Sequence, residues 1–317
     1  MAAKVVLGLI GFAGTYAALY LPGIGAAAFF GLYVLHGLAQ LFVLLNIAHD
    51  SNHNAISSRR WISRPLKYVF DLCGINSYMW RVLHNTGHHS NINICGHDED
   101  VIARDALRYS PNTPWRPIHT YQHHYAWFLY GLSTLDYVVW KDLEYFFVKD
   151  YVPLREVRHP KSEYAVLIAG KLIYFTYMLV LPVAVLHRPV LLVLGAFVAM
   201  HFVMGLIAQF IFQTTHVIET SRFPKGRSEF ENYTYHILAT TADYATGSLP
   251  AKWLLGGLNH HVVHHLCPNV CHTHYPELTR IVRETAEQYR IPYREHATWR
   301  QALAEHFSLL KQLGTQA

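Results

Sequence analysis

Histidine accounts for 23 of the 317 residues, and several of these histidines are clustered at short spacings. His49 and His53 bracket Asp50, Ser51 and Asn52. His84 is followed by His88 and His89, and residues 260–265 read His260-His261-Val262-Val263-His264-His265. On an α-helix, positions i and i+4 share a face, with Cβ atoms about 5–6 Å apart. His49 with His53, and His84 with His88, can therefore meet one metal centre or two adjacent ones. His89 lies about 100° round the helix from His88, so the adjacent pair can address two different ions. His261, His264 and His265 have i, i+3, i+4 spacing and are expected to converge on one face. His260 points elsewhere and is read as structural. His216, in Gln213-Thr214-Thr215-His216, stands alone. A lone histidine at a helix end is ordinarily an interface residue, and its place beside the clusters is what favours a ligand role.

The number of nitrogens bounds the chemistry. One zinc ion takes four ligands, and a catalytic zinc takes three from protein. The nine residues His49, His53, His84, His88, His89, His216, His261, His264 and His265 are too many for one ion and suit two, with four or five nitrogens each. Imidazole ligation without thiolate suits iron, zinc, copper or nickel, and the spacing does not separate them. Ligating histidines usually give the other N–H to a carboxylate or carbonyl. Asp50, Asp98, Asp100, Glu219 and Asp243 lie near the clusters. Asp98 and Asp100 are expected to support ligands in this way, and the other three read as solvated charges. Cys267 and Cys271 are four apart with no second pair to complete a site, and four Cys in this length form no disulfide framework, so they read as reduced thiols.

The elements that must hold these residues are apolar. Hydrophobic residues make up 52% of the chain and charged residues 15%, well below the roughly 25% charge of a soluble domain. This excludes an ordinary soluble enzyme and a disordered chain. A net charge of +5 is too small for a nucleic-acid binder and suits contact with anionic lipid. No residue from Val5 to His49 carries a formal charge, and a single crossing needs about 20 residues. The run is long enough for two spans, Val5–Leu21 and Ile24–Ala48, turning at Leu21-Pro22-Gly23. A signal peptide fits the first run poorly, because the second follows almost at once. A second hairpin is expected from Tyr164–Leu181 and Val190–Ile218, broken at His187-Arg188-Pro189.

The chain is thus expected to be an all-α integral membrane protein: four transmembrane helices in two hairpins, with a helical cap holding a di-metal site. It is read as one domain, 1–317, in which the hairpins 5–48 and 164–215 alternate with the cap segments 49–163 and 216–317. Arg188 alone among the basic residues falls on the short-loop side. Arg59, Arg60, Arg64, Lys67, Arg81, Arg104 and Arg108 fall on the other, so both termini, the cap and all the histidine clusters are expected on the cytoplasmic side. The aromatic stretches Leu66–Trp80 and Tyr125–Phe147 read as helices along the membrane interface. Pro276–Leu313 is charged and helical in pattern, broken at Pro292.

The ordered motifs resemble those of the membrane fatty acid desaturases, particularly the acyl-CoA and acyl-lipid group that includes the front-end desaturases. That family carries H-x(3–4)-H, H-x(2–3)-H-H and [HQ]-x-x-H-H boxes, matched here by His49–His53, His84–His89 and His261–His265. The similarity continues through Gly96-His97-Asp98-Glu99-Asp100-Val101, Phe212–Glu219, Gly256-Gly257-Leu258-Asn259, Leu266-Cys267-Pro268, His272–Pro276 and Ala302–Gly314. It covers nearly the whole chain. His261 stands where many front-end members have Gln, Val263 replaces a common acidic residue and Cys267 a common aromatic one. These departures leave metal binding intact and bear on substrate choice.

The resemblance implies two non-haem Fe ions held by the nine histidines. It also implies O2 as co-substrate and loss of two hydrogens from an acyl chain borne on CoA, acyl carrier protein or lipid. A nonpolar tunnel would fix the carbon that reacts and keep water out. Many relatives carry a fused cytochrome b5 domain with a His-Pro-Gly-Gly motif. That motif is missing here, so an external donor of ferredoxin or cytochrome b5 type is expected. An acyl-chain hydroxylase or acetylenase on the same scaffold is the alternative, since the boxes do not discriminate. A zinc protease is disfavoured because Asp50, not Glu, follows His49. A transporter or haem carrier is disfavoured because only His36 and His201 lie mid-span. Nucleic acid is not an expected partner.

Overall fold

The computed structural model describes residues 1–102, 105–148, 154–155, 157–230 and 232–315. Arg104, one of the basic residues in the orientation argument, lies outside them. The described chain is mostly helical and divides into two compact units. Unit 1 comprises Met1–Trp80, Tyr130–Val148 and Val157–Gln209; unit 2 comprises Arg81–Leu129, Lys149–Glu156 and Phe210–Ala317.

Unit 1 contains the apolar helices. Helix α1 is Ala2–Ala18. Helix α2, Ala26–Val43, runs through a π turn, Leu44–Ala48, into the short helix α3, His49–Asn52. Among the described residues three helices are long and apolar enough to cross a membrane: Ala26–Asn52, Lys161–Ala184 and Val190–His216. Helix α1 is apolar but has 17 residues. At 1.5 Å per residue it spans about 25 Å, less than the ~30 Å hydrocarbon layer. The expected break at Leu21-Pro22-Gly23 is present, with Gly23 at φ +77°. Leu7, Ile10, Ile168, Leu172 and Leu191 are turned outward and exposed, as a lipid-facing surface requires and a water-facing one rarely tolerates.

Lys171, Asp142 and His201 of unit 1 are paired. Lys171 Nζ, on a membrane-length helix, donates to Asp142 Oδ2, Gly74 O and Val138 O, each at 2.7 Å. The same Asp142 oxygen accepts from Asn76 N at 2.7 Å. His201, mid-helix, has its ring nitrogens at Tyr174 Oη, 2.8 Å, and Thr134 Oγ1, 3.1 Å. The expected interfacial helix over Leu66–Trp80 does not form as one piece. It is divided among α4 (Arg60–Lys67), α5 (Val69–Leu72) and α6 (Ser77–Arg81). The break is at Gly74, φ +80°, where a Cβ would lie 2.6 Å from the Tyr174 ring. Only glycine fits that conformation and that approach. The second aromatic stretch is helical throughout, in α7 (Gln122–Asp136), a π turn (Tyr137–Lys141) and α8 (Asp142–Phe147). Helices α9 (Lys161–Phe175), α10 (Leu181–Ala184) and α11 (Val190–His216) follow.

Unit 2 carries α12 (Tyr233–Thr240), strand β1 (Asp243–Tyr244), α13 (Leu249–Leu254), α14 (His261–Leu266), α15 (Tyr275–Gln288), β2 (Glu295–His296) and α16 (Trp299–Thr315). The break expected at Pro292 falls between α15 and α16. Strands β1 and β2 pair in parallel, Asp243 opposite Glu295. Ile92, Ile237, Leu238 and Val262 form a buried cluster, covered by Leu266, Val282, Ile291 and Tyr293. Arg108 anchors the end of α16 through Leu313 O, 2.9 Å, and Gln122 does so through Leu310 O, 2.7 Å. This core fixes α14, the six-residue helix that carries the third histidine box.

Candidate metal centre

Seven of the nine proposed ligands lie in unit 2, and they form two sets. One ring nitrogen from each of His88, His216, His261 and His265 lies within 4.8 Å of the others. Within this set His265 Nε2 is 3.1 Å from His216 Nε2. The second set is His84, His89 and His264. His89 Nε2 lies 3.1 Å from His84 Nε2 and 3.0 Å from His264 Nε2. Nitrogens about 2.1 Å from a shared ion stand roughly 3.0–3.4 Å apart, so both spacings match common ligation. All seven residues are buried.

The local backbone explains how adjacent histidines diverge. The second box lies in a π-helical segment, Val82–His88, with His89 N bonded to His84 O at 2.9 Å, an i→i+5 contact. In α-helical spacing His84 would share its set with His88. The wider turn pairs it with His89 instead and places His88 beside His216 and His265. In α14, His261 and His265 join one set while His264 faces His89, so the three divide between the two sets although their spacing puts them on one helical face. The lone His216, at the end of α11, is brought into the first set.

Two of the outer nitrogens are held by backbone carbonyls. His216 Nδ1 is 3.1 Å from Thr240 O, and His261 Nδ1 is 3.0 Å from Leu258 O. A carbonyl only accepts, so each ring keeps its proton on Nδ1 and leaves Nε2 bare. Burial, with His89 and His261 nearby, pushes His265 well below the usual histidine range and holds it neutral. Bare nitrogens gathered in a water-poor interior call for a cation. Burial also acts to lower His88, but the carboxylates of Asp98 and Asp100 outweigh it and push the ring up to about 9. Asp98 is fully buried. Its Oδ1 is 2.9 Å from His88 Nδ1, and its carboxylate accepts from Asn93 N at 2.8 Å and Asp100 N at 3.0 Å. Asp100 Oδ2 is 3.3 Å from the same ring nitrogen. Both carboxylates therefore stand where a histidine-orienting group belongs.

His49 and His53 lie in unit 1, with ring centroids 4.8 Å apart. Trp80 packs edge-on to both, at 5.5 and 6.0 Å, and stacks on Phe70 at 4.5 Å. His260 takes the structural role expected of it, its Nδ1 2.8 Å from Thr279 Oγ1.

Two expected surface charges are misread from sequence. Asp50 and Asp243 are both buried. Asp243 Oδ1 accepts from Val262 N at 2.9 Å and its Oδ2 from Tyr293 Oη at 2.5 Å. Burial pushes its carboxyl up to about 7 against those bonds. It holds the first turn of the histidine-bearing α14. The available signal was that Asp243 is the only formal charge between residues 232 and 251. Glu219 is exposed, as expected. Tyr275 was also missed: its Oη is 3.4 Å from His264 Nδ1.

The family model described as fatty acid desaturase matches residues 5–297. The chain is 32% identical over 283 residues to an sn-1 linoleoyl-lipid 6-desaturase of Arthrospira platensis, covering 88% of this chain and 76% of that protein. It is 33% identical over 309 residues to the protein of the same name from Synechocystis sp., covering 93% and 83%. An acyl-lipid (8-3)-desaturase of Physcomitrium patens is 33% identical, over 90% of this chain and 60% of that protein. With three histidine boxes, buried histidine sets and membrane-length helices on one chain, the protein belongs to the fatty acid desaturase family and is an oxidoreductase that desaturates fatty acyl chains.

Proposed function

We propose that the protein is an acyl-lipid desaturase in which His49, His53, His84, His88, His89, His216, His261, His264 and His265 hold two Fe ions. The observation that carries this reading is the convergence of buried imidazole nitrogens in unit 2, with Nδ1 of His216 and His261 committed to carbonyls. Bound iron would supply the O2-derived oxidant that an unactivated C–H bond demands. The chain's own groups do the rest. Asp98 and Asp100 orient His88, Thr240 O and Leu258 O fix the tautomers of His216 and His261, and Asp243 holds α14 in place. The apolar helices are the means of keeping the acyl chain oriented and water away from the reacting carbons.

The substrate follows from the relatives' names: a linoleoyl-type acyl chain carried on a membrane lipid. The membrane arrangement is four spans in two hairpins with a helical cap, both termini and the metal centre facing the cytoplasm. Its support is the placement of basic residues and the two Pro-containing breaks. Two electrons per turnover come from an external carrier of ferredoxin or cytochrome b5 type.

The test is expression in a host that supplies such a carrier, followed by lipid profiling and metal analysis of the purified protein. The expected product is lighter than its precursor by two hydrogens, with about two irons per chain. A product heavier by one oxygen would point to hydroxylation instead. Product retained in both His88→Ala and His264→Ala would overturn the ligand assignment.

A further inference from the structure

Residues 51–70 contain four basic side chains, Arg59, Arg60, Arg64 and Lys67, and no acidic one. Arg59 stands at the N-cap of α4, and Tyr68 joins α4 to α5 at φ −73°. Arg60, Arg64, Tyr68 and Leu72 recur every fourth residue and are all exposed, with Trp61 beside them at 72%. Ser63, turned the other way, is buried and donates its hydroxyl to Ser57 O at 2.7 Å. Residues four apart share a helical face, so two cations, an aromatic ring and an aliphatic side chain follow one another along a single stripe of unit 1. We infer that this stripe is a binding surface for anionic lipid headgroups of the surrounding bilayer, separate from the acyl lipid that reacts. It rests on the membrane arrangement proposed above and needs no metal.

The apolar end of the stripe identifies the medium. Helix α5 packs on α9, which belongs to the membrane-length stretch Lys161–Ala184. A Cβ on Gly170 would lie 3.3 Å from Asp71 Cβ, and Tyr177 Oη donates to Leu72 O at 2.6 Å. Ile168 and Leu172 of α9 are themselves exposed. Leu72 therefore stands at the hydrocarbon end. Tyr68 and Trp61 come next along the chain toward α3, and these are the residue types that gather where hydrocarbon meets headgroups. Arg60 and Arg64 then fall among the headgroups. A soluble acidic protein could reach the arginines but not Leu72, which lies against a membrane-length helix.

Charge selects the headgroup. Among the described residues Arg59, Arg60 and Arg64 make no ion pair. The elements packed most closely on α4 are the π turn Leu44–Ala48, α3 and α5, and their carboxylates, Asp50 and Asp71, are both buried. A guanidinium grips a phosphate through two parallel N–H bonds. A zwitterionic headgroup brings its own cation against the arginines, whereas an anionic surface is favoured by about fivefold for each cation held near it. The stripe also bears on the first histidine box. Lys67 Nζ donates to Asn54 Oδ1 at 2.9 Å, and Lys67 O accepts from Asn52 Nδ2 at 3.5 Å. Asn52 and Asn54 flank His53, so a lipid that holds α4 steadies the segment on which His53 stands.

Quenching of Trp61 fluorescence in the full-length protein, reconstituted into phosphatidylcholine vesicles, tests this. A minor, equal fraction of either brominated phosphatidylglycerol or brominated phosphatidylcholine serves as the quencher. The difference between wild type and Trp61→Phe isolates this ring from the chain's other tryptophans. The anionic quencher should act about fivefold more strongly than the zwitterionic one. The triple variant Arg59→Gln/Arg60→Gln/Arg64→Gln should lose that preference, and so should the wild type in about 0.5 M salt, where exposed charges are screened. Unbrominated phosphatidylglycerol should raise the Tm of the wild type and leave that of the triple variant where it was. If the triple variant does not insert, the salt titration and the single variant Arg64→Gln, with a partial loss, carry the comparison. Equal quenching by the two lipids, or a preference that survives the arginine substitutions, would overturn the inference. So would a Trp61 quenched by neither, which would leave the stripe in water and assign it to a soluble partner. Wild-type protein that does not enter vesicles would instead overturn the membrane arrangement beneath it.

Discussion

Asp243 and Val262 are joined by a 2.9 Å hydrogen bond from the Val262 backbone N–H to the buried aspartate. Val262 is the residue after His261, and α14 has only six residues. A helix so short is held by its surroundings, not by its own propensity. Asp243→Ala should therefore loosen His261, His264 and His265 together. Leaving the Val262 N–H and the Tyr293 hydroxyl unsatisfied costs about 1–3 kcal/mol per group. The expected result is a lower Tm and a purified protein with less iron, with Asp243→Asn intermediate. Metal analysis beside thermal unfolding in detergent checks both.

The same residue gives a pH signature. Burial raises the Asp243 carboxyl to about 7, above its value of 3.8 in an unfolded chain. Between those values the folded state binds more protons than the unfolded one. This group's contribution to stability therefore falls as pH rises from about 4 to about 7 and is flat above. Asp243→Asn removes that slope. Histidine titration acts in both proteins, so the Tm difference between wild type and variant isolates the aspartate. The wild type should lose ground relative to Asp243→Asn across that interval; a constant difference would show the carboxyl to be unperturbed.

How much of this was legible beforehand depends on how far apart the partners lie in sequence. The histidine boxes were readable because helical spacing is local. Which histidines share a set was not, because a π turn regroups His84 with His89. Asp98 and Asp100, singled out by their nearness to the second box, stand 2.9 and 3.3 Å from His88 Nδ1. Asp243 was missed because its partners are 19 and 50 residues away and its strand is two residues long. The apolar helices were plain from composition. The break at Gly74 was hidden, since it depends on the ring of Tyr174, a hundred residues later.

Gly257 sets a steric limit beside the third box. Its φ is +76°, and a Cβ there would lie 2.6 Å from His272 Cβ and 2.8 Å from the Tyr275 ring. Tyr275 in turn reaches His264 Nδ1. Gly257→Ala should displace Tyr275 and weaken the second histidine set more than the first. The strained backbone alone costs on the order of 1 kcal/mol. Tyr275→Phe removes only the hydroxyl and should leave stability nearly unchanged while lowering metal retention slightly. Comparing iron content in the two variants separates crowding from the lost hydroxyl.

Lys171 and Asp142 form a pair that tolerates loss of both partners better than loss of one. The lysine satisfies Asp142, Gly74 O and Val138 O together. Lys171→Met leaves a buried carboxylate uncompensated, and breaking such a pair typically costs about 3–5 kcal/mol. The double variant Lys171→Met/Asp142→Leu should recover much of the lost Tm. A double variant as unstable as the single one would show that the backbone carbonyls, not the carboxylate, are the lysine's main partners.

Asp98 and Asp100 both face His88 Nδ1, but they should not matter equally. Asp98 is fully buried at 2.9 Å and is itself held by two backbone N–H groups. Asp100 stands at 3.3 Å with a third of its side chain exposed, so solvent screens it. Removing a carboxylate that orients a ligating histidine typically lowers metal affinity about 10–100-fold. Asp98→Ala should fall in that range and Asp100→Ala well below it. Titration of each iron-loaded variant with a competing chelator reads the affinities directly. Equal losses would mean that the two carboxylates act on His88 through charge alone, since only orientation depends on the rigid hold that Asp98 has and Asp100 lacks.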